Sequence, residues 1–200
     1  MFKKLQALFF NNGYTSAKSL VKQMILSPGE ITIKEDVLSI KDYPFEPSIA
    51  YPNKAFHTSQ IKAISLDFGM SRLYIEQDII FVSAAHKEAL NVFAEQYAID
   101  LLPHSWNWDW LLEPYLDTEL RAEDEVRLAA RLAENGLDEE EVKQIRTEVG
   151  QQMYKYNFDT MLWEWCSLGL FDVLCAMQAK YDQAQFKDFY YRALEIDRRK

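Results

Sequence analysis

The chain has 200 residues and a formal net charge of −9, with 48% hydrophobic and 26% charged residues. With only 6 glycines and 6 prolines, this balance predicts a packed globular protein and argues against intrinsic disorder. Residues 1–100 hold 10 basic and 11 acidic side chains, whereas residues 101–200 hold 12 and 20, so the second half would repel nucleic acid and anionic lipid.

The N-terminal segment opens with two lysines and a short apolar run that is broken at Gln6 and stops at Asn11. This run is too short for the apolar region of a signal peptide, so we expect a cytoplasmic protein. At most, the segment would contact a membrane as a weak amphipathic anchor, in the manner of a peripheral adaptor. Residues 16–26 have apolar residues at helical spacing and predict one short helix.

Alternating apolar residues predict β-structure from residue 30 onward. Ile31 and Ile33 alternate with polar residues, and a second strand beginning at Val37 would complete a hairpin. A strand over residues 61–68 and a second hairpin around residues 76–78 follow. Ser83 is a good N-cap for a helix that would close the sheet.

These elements predict an α+β protein whose first part is an antiparallel meander of about five strands. The order of strands followed by one helix resembles a pleckstrin-homology-like module. We expect three regions: a mostly β module over residues 1–100, an aromatic junction over 101–117 and an acidic bundle of about four helices over 118–200.

The predicted bundle begins with a helix that ends at Asn135 and Gly136, a common left-handed C-cap. A second helix begins at Asp138 and a last helix covers residues 183–197. Between them, residues 159–181 are apolar on almost every side and predict a central, buried helix. On one continuous helix, Cys166 and Cys175 would be too far apart for a disulfide, which indicates two buried thiols in a reducing compartment.

The junction holds the most unusual residues of the chain. Trp106, Trp108 and Trp110 alternate with polar residues, so an extended backbone would place the three indoles on one face as a platform for a ligand. The alternative is that the rings pack the two halves together. With His104 and Asp109, the three tryptophans are the candidate ligand-binding residues.

Other chemistry has weaker support in the sequence. The three histidines, His57, His86 and His104, lack metal-ligand spacing, although His104 lies near Asp109 and Glu113 and could take part in acid–base chemistry. Glu164 and Asp172 would share a polar edge of the apolar helix and face water, an arginine or a partner. We predict no metal, no cofactor and no catalytic residue, and an enzyme is the less favoured class because phosphate-loop, nucleophile-elbow and metalloprotease motifs are missing.

Two functions follow from these features. The first is a non-enzymatic interaction or regulatory protein that presents an acidic helical surface, with Glu139 and Glu140 as candidate contacts, to a protein partner that could be basic. The alternative is a small-molecule-binding protein or enzyme with a pocket at the aromatic junction. A pocket lined by convergent polar groups favours the second, and a flat acidic surface favours the first.

Overall fold

A computed structural model describes residues 26–116, 121–160 and 167–200, with side chains in the second range described through residue 157. Within these ranges the protein is α+β, with seven strands in two sheets and six α-helices. None of the described helices has the length and apolar character needed to cross a membrane. The predicted helix over residues 16–26 lies outside the described residues except for Leu26.

The first sheet is antiparallel and has the order β1-β2-β3. Its first two strands, β1 (Glu30–Lys34) and β2 (Val37–Lys41), form the predicted hairpin, with Ile31 opposite Ile40. The third strand, β3 (Lys54–His57), was not predicted because only Phe56 among its side chains is buried, which leaves no apolar alternation to detect.

The second sheet has the order β6-β5-β4-β7. Strands β4 (Ala63–Ser65), β5 (Ser71–Ile75) and β6 (Asp78–Val82) are antiparallel, and β7 (Asp100–Leu101) runs parallel to β4. The strands therefore do not form the single meander predicted. A pleckstrin-homology-like order is not supported either, since β7 is reached through helix α1 (Lys87–Tyr97).

In the described ranges, five α-helices follow β7. They are α2 (Asn107–Leu112), α3 (Ala122–Glu134), α4 (Glu139–Thr160), α5 (Leu170–Gln178) and α6 (Gln183–Arg198). Helix α3 ends at Glu134 with Asn135 as its C-cap residue, and Gly136 takes a positive φ of 76°, as the sequence predicted. The continuous helix predicted over residues 159–181 is interrupted, because Gly169 is extended and forms the N-cap of α5.

Helix α5 is largely buried, as its apolar composition predicted. Leu170 and Cys175 are both fully buried, and burial raises the pKa of the Cys175 thiol well above its ordinary value. Cys166, its predicted buried companion, and Glu164 lie outside the described residues. The buried, unpaired Cys175 is a core side chain.

The strands and helices share one hydrophobic core, in which the irregular, proline-rich connection after β2 takes part. The Phe45 ring lies 5.4 Å from that of Phe171 on α5 and 6.0 Å from that of Tyr190 on α6, centroid to centroid. Nearby, the Asp78 carboxylate at the start of β6 accepts hydrogen bonds from Ser48 Oγ at 2.7 Å and Tyr190 Oη at 2.6 Å. These contacts hold α6 against the second sheet and so fix the geometry of the junction.

Candidate functional site

The tryptophan segment of the junction is helical, which corrects the extended platform predicted from the sequence. Helix α2 begins at Asn107, with Trp106 as its N-cap residue. At 100° per residue, Trp106 and Trp110 lie about 40° apart around the helix, whereas Trp108 lies about 160° from each. The three indoles therefore do not share a face.

Trp108 faces the core. Its indole is fully buried, and Nε1 donates a hydrogen bond to the carbonyl oxygen of Ala193 on α6 at 2.9 Å. Beside it, the buried Asn107 side chain donates to the carbonyl oxygens of Ile196 at 2.8 Å and Arg199 at 3.0 Å. Trp108 therefore packs α2 against α6, and its buried ring is not available to a ligand.

Trp106 lies on the opposite side and 41% of it is exposed. Its ring packs against two aromatic neighbours, with centroids 5.1 Å from that of Phe68 and 4.6 Å from that of His104. Phe68 is itself 40% exposed. Exposed aromatic rings grouped around a buried polar side chain are typical of a recognition surface.

His104 and Asp109 form a buried pair at the base of this aromatic group. His104 Nε2 lies 3.0 Å from Asp109 Oδ2, and each residue is less than one-tenth exposed. Among the described residues, His104 Nδ1 has no hydrogen-bond partner. The Asp109 carboxylate thus fixes the orientation of the imidazole, and Nδ1 is a buried nitrogen without a partner among the described residues.

A second buried pair, which the sequence did not indicate, lies beside the first. Arg72 Nη1 on β5 donates to both carboxylate oxygens of Asp197, at 3.0 and 2.9 Å. Burial raises the pKa of Asp197, while the charges of Arg72 and His104 act in the opposite direction. The two residues are 125 positions apart, so only the fold brings them together.

Two cavities meet at His104. The larger has a volume of about 450 Å³ and lies between the second sheet, the start of α2 and the end of α6; its lining includes Tyr74, His104, Trp106, Trp110 and Arg198. The smaller, of about 150 Å³, includes Phe68, Arg72, His104, Asp109 and Asp172. Three of the five predicted ligand-binding residues therefore line the larger cavity, Asp109 lines the smaller, and Trp108 lines neither.

Asp172 was predicted to face water, an arginine or a partner; in the structure it is partly buried and has a role that was not predicted. The carboxylate caps α5, accepting hydrogen bonds from the Gly169 amide at 2.9 Å and from Tyr156 Oη at 3.0 Å. Burial raises its pKa to about 6, against the effect of these two hydrogen bonds, and the negative charge of Asp109 raises it further. The role of the Asp172 side chain in the structure is therefore to cap α5.

The remaining histidines lie elsewhere. His57 is exposed and pairs with Asp36, with Nδ1 3.4 Å from Oδ2, and His86 ends the short 3-10 turn before α1. Glu113 follows α2 at the start of another 3-10 turn, and burial together with the charge of Asp109 raises its pKa. In the parts of the chain that the structure describes, no three His, Cys, Asp or Glu side chains are grouped as a metal site would need.

Glu139 and Glu140 are exposed in the first turn of α4, where carboxylates stabilise the helix dipole. Beside them, a groove of about 850 Å³ lies between α3 and α4; its lining includes Val126, Ala129, Ala130, Ala133, Leu137 and Glu139. Lys143 and Arg146 also line it, so the rim carries both signs of charge.

Comparison of the chain with protein-family models, with curated proteins and with solved structures finds no match in any of the three. A functional conclusion must therefore come from the chemistry of the site.

Proposed function

We propose that this protein binds a small molecule in the larger cavity of the junction. The observation that supports this most strongly is the convergence of Trp106, Trp110 and His104 on one cavity of about 450 Å³. Ligand sites of proteins are typically concave, roughly 300 to 1,000 Å³ in volume, and lined by apolar rings with a few polar groups. A pocket lined by convergent polar groups was the feature expected of a small-molecule-binding protein, whereas a flat acidic surface was expected of a protein-binding one.

The packing around the cavity supports a preformed site. Helix α2 is held by Trp108 and Asn107, which hydrogen-bond to α6, and the imidazole of His104 is held by Asp109. A ligand that enters such a site does not have to order it first, which reduces the free-energy cost of binding. The proposal concerns binding, and no catalytic role is assigned to these residues.

The test is a thermal-shift screen of a small-molecule library against three proteins: the wild type, Trp106→Ala and Tyr154→Ala. Tyr154 is a matched control because it is also an exposed aromatic residue, 59% exposed, and lines neither junction cavity. We expect compounds that stabilise the wild type and Tyr154→Ala but not Trp106→Ala. Hits that stabilise all three proteins equally would show that the cavity is not the binding site.

A second function, interaction with a protein partner through the helical half, is supported by the exposed face of α3. Val126, Ala129, Ala130 and Ala133 are exposed at helical spacing, and Val126 is 71% exposed. Glu125 and Glu139 flank this face together with Lys143 and Arg146, and the exposed Glu140 adds a further negative charge beside Glu139. Because of this acidic edge, we propose a basic, partly apolar segment of a partner protein as the occupant.

Val126→Asp tests this second function, since a charge at the centre of the apolar face should abolish capture of the partner and leave folding intact. Val92→Asp on α1 is the control, because Val92 is also exposed, at 56%, and belongs to a different surface. Equal capture by both variants would exclude the α3 face as the contact.

We also propose that the protein is cytoplasmic. The unpaired thiol of Cys175 supports a reducing compartment. Cell fractionation tests the location, and recovery of the protein from the secreted fraction would contradict it.

A further inference from the structure

The charge around the larger cavity differs from that of the whole chain. Lys62, Arg198 and Lys200 line it, although the chain as a whole carries a net charge of −9. None of the three forms an ion pair with a carboxylate among the described residues; Arg198 instead donates to the carbonyl oxygen of Asp78 at 3.0 Å. Within the described ranges, these three positive charges therefore have no carboxylate partner.

The other charged residues of the cavity are largely balanced. Arg199 is paired with Glu141 at 2.7 Å and with Glu195 at 2.9 Å, and Asp197 is paired with Arg72. Glu76, in the exposed turn between β5 and β6, is the remaining carboxylate of the lining. Counting only the described side chains, three cations without a carboxylate partner against the one carboxylate of Glu76 give the cavity a net attraction for an anion.

The walls of the same cavity are aromatic. Tyr74 and Trp110 are partly buried and Trp106 is exposed at the edge. Arg131 lies over the Trp110 ring, with the guanidinium carbon 5.3 Å from the centroid, and this contact restricts the orientation of the indole. Rings of this kind bind flat aromatic ligands by stacking.

We propose that the ligand of this cavity is an aromatic anion: a flat ring that packs on the indoles of Trp106 and Trp110, with a carboxylate or phosphate near Lys62, Arg198 and Lys200. This inference rests on the proposed binding function and adds the chemical class of the ligand. The positive lining selects the charge of the ligand, and the aromatic walls select its shape.

The experiment compares ligands that share a ring and differ in charge, by isothermal titration calorimetry. Indole-3-acetate against tryptamine tests a carboxylate, and AMP against adenosine tests a phosphate. We expect the anion of at least one pair to bind about tenfold more tightly than its partner, which corresponds to one favourable charge interaction of modest strength. The pair that shows this preference identifies the anionic group.

Two variants locate the effect. Lys62→Glu should weaken binding of the preferred anion about tenfold and reduce the preference over its matched partner. Lys54→Glu is the control, because Lys54 is exposed on β3 and lines neither junction cavity. Unchanged binding in Lys54→Glu and weakened binding in Lys62→Glu would support the proposal, and equal effects of the two variants would overturn it.

The other outcomes separate this inference from the function on which it rests. If tryptamine and adenosine bind as tightly as their anionic partners, the anion preference is wrong while binding at the junction stands. If these four probes fail and the library screen gives neutral or cationic hits that need Trp106, the ligand class is again wrong and the site is right. If no compound binds in a manner that depends on Trp106, both proposals fail.

Discussion

The junction between the strands and the helices and the outer face of α3 and α4 place charged residues in opposite environments. At the junction, His104, Asp109, Arg72 and Asp197 are buried, and each is paired within 3.0 Å. On the outer face, Glu139 and Glu140 are exposed to water. Counting charges along the sequence finds the exposed carboxylates, but it does not find the pair of Arg72 and Asp197, which the fold assembles from segments 125 positions apart.

The two environments have different energetic consequences. Exposed ion pairs contribute about 0 to 1 kcal/mol, because water and salt screen them. Removing one member of a buried pair costs about 3 to 5 kcal/mol, because the charge left behind is poorly solvated. Substitutions of the paired residues at the junction should therefore lower the free energy of unfolding strongly. Substitutions of exposed charges on α3 and α4 should change surface properties and leave the stability almost unaltered.

The largest expected effect is that of Trp108→Ala. Truncating a buried tryptophan should lower the free energy of unfolding by about 3 to 5 kcal/mol, since it leaves a cavity and removes the hydrogen bond to Ala193. Urea unfolding measures this loss. Trp106 lies two residues earlier and on the exposed side, so Trp106→Ala should lower the free energy of unfolding much less. Equal losses in the two variants would contradict the placement of Trp108 in the core and of Trp106 at the surface.

Arg72→Met should also be strongly destabilising, by about 3 kcal/mol or more, because it leaves the Asp197 carboxylate buried without its partner. The matched control is Arg127→Met on α3, whose exposed guanidinium lies 2.7 Å from Asp124, and there we expect a loss below about 1 kcal/mol. Comparable losses in the two variants, measured by urea unfolding, would remove the distinction between the two regions.

The pH dependence of stability gives a third test. Burial raises the pKa of Asp172 to about 6, whereas an unfolded aspartate titrates near 4, so between these values the folded protein binds the proton more tightly. Stability should then fall as pH rises from about 4 to about 6 and level off above that, with an effect of about 2 to 3 kcal/mol.

Asp172→Asn isolates this contribution, because the amide does not titrate. Asp197, whose pKa is also raised, remains in both proteins, so the difference between their stability curves reports on Asp172. A wild-type stability that falls no more steeply over this range than that of Asp172→Asn would show that the carboxylate is not desolvated.

Parts of the fold were predictable because they depend on local patterns. The hairpin of β1 and β2 follows from the alternation of Ile31 and Ile33, and the end of α3 follows from Asn135 and Gly136, which suit a left-handed C-cap. These signals extend over a few residues and do not depend on what the elements pack against.

The candidate site was only partly predictable, because tertiary contacts determine it. The alternating tryptophans suggested an extended segment with three indoles on one face, yet the structure has the six-residue helix α2. This helix is held by hydrogen bonds from Asn107 and Trp108 to α6, almost 90 positions away. The sequence identified His104, Asp109, Trp106 and Trp110 by type. It could not identify Arg72 or Asp197, because single charged residues in a strand and a helix give no local signal.

The smallest expected effect belongs to the outer face. Glu139→Gln with Glu140→Gln should change the free energy of unfolding by less than about 1 kcal/mol, since both carboxylates are exposed and only complement the dipole of α4.

If the face binds a basic partner, the association rate should fall in this double variant. In the wild type the association rate should also fall as salt rises, because exposed charges are screened beyond about 8 Å at physiological ionic strength. The dissociation rate should change less, because charges at the rim act mainly on encounter. Stopped-flow association at several salt concentrations measures both rates, and the melting curve of the same variant separates lost binding from lost stability. An association rate indifferent to salt and to both substitutions would exclude the acidic face and leave the junction as the functional surface.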